Sequence, residues 1–144
     1  MSCLSVRGGD AMIEYAEVLV LAQTIYGEAE GENYLTKLAI GQIIKNRVER
    51  QWRGATTYQE VCWAPRQFSC WNEGSPRLRA MLKPQGQAWN ESLKAAFAVL
   101  QGLYEDEKLK SVYHYTDTSI GRPIWAEDME LIRLVGVPKI NFWR

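Results

Sequence analysis

Two strongly apolar helical segments joined by a short acidic turn constrain this chain more than any other feature. Val18-Leu19-Val20-Leu21-Ala22 is apolar on nearly every face of a helix, so a helix built on it must be buried on most sides. Ile13, Ala16, Val20 and Ile25 keep helical spacing around that run, which predicts a first helix from about Ala11 to Tyr26. Asp10 is the expected N-cap and Gly27 the expected stop. A second helix follows over about Tyr34 to Trp52, with Leu35, Leu38, Ala39, Ile43 and Val48 as its stripe. Gly41 inside it costs up to ~1 kcal/mol relative to alanine, so another backbone or a ligand is expected to come close there. A third helix is predicted over about Gln87 to Tyr104, with Trp89, Leu93, Ala96, Phe97 and Leu100 on its core face.

The segments between these helices read as short or irregular. Thr56 or Thr57 caps a short helix ending near Cys62. Residues 63–86 hold Pro65, Gly74, Pro76, Pro84 and Gly86 among aromatics, the composition of a long functional loop. Ser111 to Tyr115 alternates as a short strand, a short helix is expected near Glu127 to Leu134, and the tail from Val137 packs back extended. Residues 1–10 read as a flexible leader, and residues 11–144 as one domain, mostly α with little β.

Composition narrows the function. Apolar residues make up 47% and charged residues 24% of 144, a globular balance. Lys plus Arg equals Asp plus Glu at 17 each, so no global field draws the chain to nucleic acid or anionic lipid. The cluster Lys45, Arg47, Arg50 and Arg53 reads as one solvated helix surface. Cys3, Cys62 and Cys70 are an odd set without a framework pattern, so buried reduced thiols are expected. His114 is the sole histidine, with no second one to accompany the cysteines, so a zinc site is not expected. No apolar run reaches the roughly 20 residues of a membrane span, and no signal-like run opens the chain. The expectation is a protein made in the cytosol and acting as a monomer.

The chemistry lies in Tyr26-Gly27-Glu28-Ala29-Glu30-Gly31-Glu32. A carboxyl held at a helix end against apolar wall keeps its proton near neutral pH and can serve as a general acid. Glu28, just past the expected helix end, is the candidate. The blander reading is a solvated acidic turn, with Glu32 favouring the positive end of the next helix.

Beyond single residues, Gly27-Glu28-Ala29-Glu30-Gly31-Glu32 followed by Asn46-Arg47-Val48 resembles the opening motif of the SleB-like cell-wall hydrolases. That family includes spore-cortex-lytic enzymes and related phage and bacterial proteins. The resemblance continues at Gln67-Phe68-Ser69-Cys70-Trp71, at Tyr113-His114 and at Pro123-Ile124-Trp125-Ala126. It implies a lysozyme-like, lytic-transglycosylase-like α fold with peptidoglycan glycan strands as substrate. It implies cleavage between N-acetylmuramic acid and N-acetylglucosamine, with Glu28 as acid/base, the sugar's own C6 hydroxyl as nucleophile and no metal or cofactor.

A two-carboxylate glycosidase would instead need a partner about 5 Å or about 6.5–9.5 Å from the acid. Glu32, Asp117 and Asp128 are the candidates, and none has a motif behind it. Gln67 and Ser69 offer hydrogen bonds to a glycan, Phe68, Trp71 and Trp125 offer ring faces, and Tyr113, His114 and Glu32 complete the expected substrate contacts. Asn46, a poor helix former at mid-helix, points to a specific hydrogen bond, with the Glu28 turn as its candidate partner. The chain departs from the family in two places. Tyr115 and Thr116 stand where a second histidine is usual, and the closing Gly-x-His-x-Phe element reads Gly136-Val137-Pro138-Lys139-Ile140-Asn141-Phe142. The alternatives left open are a lysozyme that uses water and an inactive glycan-binding phage component. An endolysin acting on the wall after release from the cytosol fits the leading reading.

Overall fold

The computed structural model describes residues 5–8 and 11–144. Its elements run β1 (Ser5–Gly8), β2 (Ala11–Glu14), α1 (Tyr15–Ala29), α2 (Tyr34–Glu49), α3 (Tyr58–Cys62), α4 (Leu78–Leu82), α5 (Gly86–Leu100), β3 (His114–Asp117), β4 (Leu131–Ile132) and β5 (Ile140–Trp143). Helix α1 is the hub: α5, α2, α3 and α4 all pack on it. Leu21, Ala22 and Ile25 are fully buried there, which is why the Val18–Ala22 run can be apolar all round.

Helix α2 is a wall shared by two cores. Leu38, Ile40 and Ile44 join the helical core with α1 and α5. Ala39 and Ile43 face a second cluster formed with Val112, Ile132, Val137 and Phe142. A helix that is buried on two sides needs apolar residues around most of its girth. Gly41 lets α2 approach its neighbours: a Cβ there would lie 3.0 Å from Val99 Cγ2 and 3.2 Å from Ile25 Cδ1. The close partners are thus side chains of α5 and α1.

The second cluster is floored by a small antiparallel sheet of order β3-β5-β4. His114 pairs with Trp143, and Thr116 with Asn141. The tail is therefore the central strand, which is why Phe142 and Trp143 are buried.

Several boundaries differ from expectation. Residues 11–14 form a strand paired with Ser5–Gly8 of the expected leader, so the first helix starts at Tyr15. Asp10, its expected cap, lies outside the described residues, as does Cys3. At the other end α1 runs through Gly27 to Ala29. Gly27 has no positive φ. It is glycine because a Cβ would lie 2.5 Å from Met81 Sδ and 2.9 Å from both Cβ and Sγ of Cys70. The chain turns later, where the buried Lys37 ammonium donates to the carbonyls of Glu30 (3.3 Å) and Glu32 and pairs with Glu91 (3.3 Å). Asn33 caps α2 by accepting from the Thr36 N–H, and Thr57 caps α3 by accepting from that of Glu60. The helix expected near Glu127–Leu134 is absent: a 3-10 turn covers Ile124–Ala126, and Leu131–Ile132 pairs with β5 instead. Strand pairing to a buried tail outweighs the local helical pattern there.

Candidate active site

Glu28 sits in the last turn of α1 instead of beyond it. Its carboxyl meets three groups from different parts of the chain. The Tyr115 hydroxyl, on β3, donates to Oε1 at 2.7 Å. The Cys70 thiol, packed on Gly27, lies beside the carboxyl, and the Arg47 guanidinium acts on it through space. Burial dominates, holding the Glu28 pKa above the ordinary glutamate value, while Tyr115, Cys70 and Arg47 pull it back. The result is a carboxyl biased towards its neutral form yet oriented by a fixed donor. The Tyr115 phenol is pushed well above its usual range by burial and by Glu28, so it remains a donor. The Cys70 and Cys62 thiols are each pushed up to about 12, mainly by burial, so both are neutral, unpaired groups.

Tyr115 also lines a cleft of about 490 Å³ together with Arg47, Trp52, Gln67, His114 and Trp125. A depression of about 560 Å³ continues from it through Trp52, Arg53 and Gln67 towards Trp63 and Pro65. Two features shape the cleft. His114 stands between Trp52 (5.7 Å) and Trp125 (5.2 Å), giving an aromatic wall of the kind sugar faces stack on. Burial and the nearby Arg47 and Arg53 lower the His114 pKa, so the ring is neutral at neutral pH. The second feature is Arg47, only 6% exposed, held by Nε donation to the Tyr113 carbonyl (2.8 Å) and packed on Trp52 and Phe68.

The expected site residues divide. Gln67, His114 and Trp125 line the cleft, and Phe68 is buried beneath Arg47. Trp71 is tied to α1 by its indole N–H, which donates to Thr24 at 2.8 Å, and its ring meets the edge of Trp63. Ser69 is exposed and lies outside the cleft lining. Tyr113 faces a different depression, where Arg50 reaches its hydroxyl at 3.4 Å. Glu32 pairs with Lys139 at 3.8 Å, away from the cleft. Asn46 donates to the carbonyls of Leu109 (2.8 Å) and Val112 (2.9 Å), so it secures the segment leading into β3 and not the Glu28 turn. Among the described residues no carboxylate lines the cleft: Glu28 meets it only through Tyr115, Asp117 accepts from the Ser119 N–H, and Asp128 is exposed.

Tyr115, Arg47, Trp52 and Cys70 carry the site's geometry, although none is a candidate site residue on sequence grounds. Arg47, expected on a solvated surface, is buried instead. Its spacing from Ile43 and Ile44, four and three residues before it, places it on a buried stripe, which was the available signal. Tyr115 stood out only as the residue replacing a family histidine.

Comparison with known proteins shows the family and the fold. The sequence profile of the Cell Wall Hydrolase family matches residues 31–141, beginning just after Glu28. The fold is similar to the catalytic domain of the germination-specific lytic transglycosylase SleB from Bacillus anthracis, with a TM-score of 0.70 and 22% identity over 96% of this chain and 100% of that one. No curated protein sequence matches the chain.

Proposed function

The chain belongs to the cell wall hydrolase family, and on that premise we propose that it is a lytic transglycosylase of peptidoglycan with Glu28 as its one acid/base. The observation that carries this reading is the Glu28 carboxyl itself: desolvated and fixed by Tyr115, which lines an aromatic cleft whose lining holds no carboxylate among the described residues. Tyr115 occupies Oε1, so the acidic proton sits on Oε2. Glu28 gives that proton to the oxygen bridging N-acetylmuramic acid to N-acetylglucosamine as the C1–O bond breaks. The carboxylate left behind then takes the proton of the muramoyl C6 hydroxyl, which attacks C1 and closes a 1,6-anhydro ring. The net change is an isomerising cleavage without water, and one carboxyl suffices for both transfers. Tyr115 supports the intermediate, since its hydrogen bond strengthens when Glu28 is anionic. Gln67 offers an amide to the sugar substituents, while Trp52, His114 and Trp125 offer ring faces. The transglycosylase described for the similar SleB domain supports the product assignment.

Among the described residues, no helix is long and apolar enough to cross a membrane. We place the activity in an endolysin-like role, with Glu28 reaching the wall after release from the cytosol. Mass spectrometry of muropeptides from purified peptidoglycan tests the mechanism. Anhydro-muramic ends are expected, whereas reducing muramic ends would show that water is the nucleophile.

A further inference from the structure

The cleft beside Glu28 is cationic as well as aromatic. Arg47, Arg53 and Arg66 all line it, and none forms an ion pair with a carboxylate among the described residues. The whole chain has a net charge of zero, so this positive charge is local. Two of the guanidiniums share one ring: Arg47 Cζ lies 4.3 Å and Arg53 Cζ 4.4 Å from the Trp52 centroid. Holding like charges this close without a counter-ion is unfavourable. Arg47 Nη1 is, in addition, buried with no hydrogen-bond partner among the described residues.

The backbone is strained at the same place. Arg53 (φ 55°) and Arg66 (φ 65°) are two of four non-glycine residues with positive φ among the described residues. Such residues cost on the order of 1 kcal/mol or more each and persist where a site needs them. An aromatic wall with unpaired guanidiniums fits a sugar that carries a carboxylate, since arginine binds carboxylates through a fixed fork of donors.

We propose that Arg53 and Arg66, over the buried charge of Arg47, recognise a carboxylate of the muramoyl unit, so that this protein selects anionic glycan strands over neutral ones. The proposal rests on the glycan-cleaving function proposed above. In peptide-stripped strands the carboxylate is the lactyl group of muramic acid; in peptide-bearing strands it belongs to the stem peptide. Seating it also offsets the field of Arg47 on Glu28, which favours the protonated acid.

Binding is measured with Glu28→Gln protein, which holds strands without cutting them, against three probes: peptide-stripped strands, the same strands with lactyl carboxylates converted to methylamides, and peptide-bearing strands. Methylamide conversion is expected to weaken binding about tenfold, the size of one charge-assisted contact. Arg53→Gln and Arg66→Gln, added singly, should weaken binding to charged strands and leave the methylamide strands unaffected. If only peptide-bearing strands respond to these substitutions, the carboxylate is that of the stem, and the selection still holds. Equal affinity for charged and methylamide strands, with both arginine variants tracking the parent on every probe, would overturn it. Cleavage by the parent protein, with Glu28 intact, is scored separately. Its absence on all strands would remove the glycosidase reading and leave the binding comparison to decide the carboxylate selection.

Discussion

Gly27 and Gly31 flank Glu28 in one acidic motif, yet the same substitution should act on them with opposite signs. An alanine Cβ at position 27 would sit 2.5 Å from Met81 Sδ and 2.9 Å from Cys70 Cβ, where ordinary contact begins at 3.4 Å. Met81 and Cys70 must therefore retreat by about 0.9 and 0.5 Å, from sites that are 0% and 2% exposed. Overpacking of that kind costs about 1–3 kcal/mol. Alanine returns at most about 1 kcal/mol through helix propensity. Packing wins, and Gly27→Ala is expected to destabilise by about 1–2 kcal/mol, lowering Tm by about 3–7 °C at this chain length. A Cβ at Gly31 would meet nothing within 4 Å among the described residues, and φ there is not positive. Gly31→Ala should stabilise by about 0.4–1 kcal/mol, because the unfolded chain loses freedom. Thermal unfolding of the two variants beside the parent checks both signs. A Gly27→Ala protein at least as stable as the parent would refute the close packing of α1 on Cys70, and with it the wall beside Glu28.

Two further expectations concern protonation. Burial raises the Glu28 pKa, so the folded state favours the neutral acid, and its contribution to stability is lost as pH rises through the folded value. Glu28→Gln should therefore gain stability relative to the parent between about pH 4 and pH 8, the range that spans the ordinary glutamate value and neutrality. Denaturant titrations at both ends check this, and an unchanged or shrinking gap would contradict the buried carboxyl. Tyr115→Phe removes a donor that lowers the Glu28 pKa. The alkaline limb of the pH–rate profile should move to higher pH while kcat falls about tenfold. A limb that stays in place or moves down would show that Tyr115 does not hold the acid.

The helices were legible because burial dictates composition. The Val18–Ala22 run could only be a core helix, and the stripes of α2 and α5 followed from their spacing. A threonine cap for α3 was legible too, the structure choosing Thr57 over Thr56. What stayed hidden depended on partners distant in sequence. Gly27 looks like a helix stop until Cys70 is seen pressing on it. Glu127–Leu134 carries a helical pattern, but the tail claims Leu131 and Ile132 as a strand. Of the candidate site, Gln67, His114 and Trp125 line one cleft, whereas Tyr113 is two residues from the tyrosine that reaches Glu28. Alternation would put the two tyrosines on one face, but β3 starts only at His114, so Tyr113 precedes the strand and faces another depression. Arg47 reads as solvent-facing charge because its counterpart is an aromatic ring and not an acid, while Arg53 is exposed as its place in the basic cluster suggests.

The central claim is that one shielded carboxyl, Glu28, performs the cleavage. Release of soluble fragments from purified peptidoglycan, compared between parent and Glu28→Gln proteins of matched circular dichroism, tests it most directly. A loss of at least about a hundredfold is expected, the share of a general acid in such reactions. A folded Glu28→Gln protein that releases fragments at the parent rate would contradict the account.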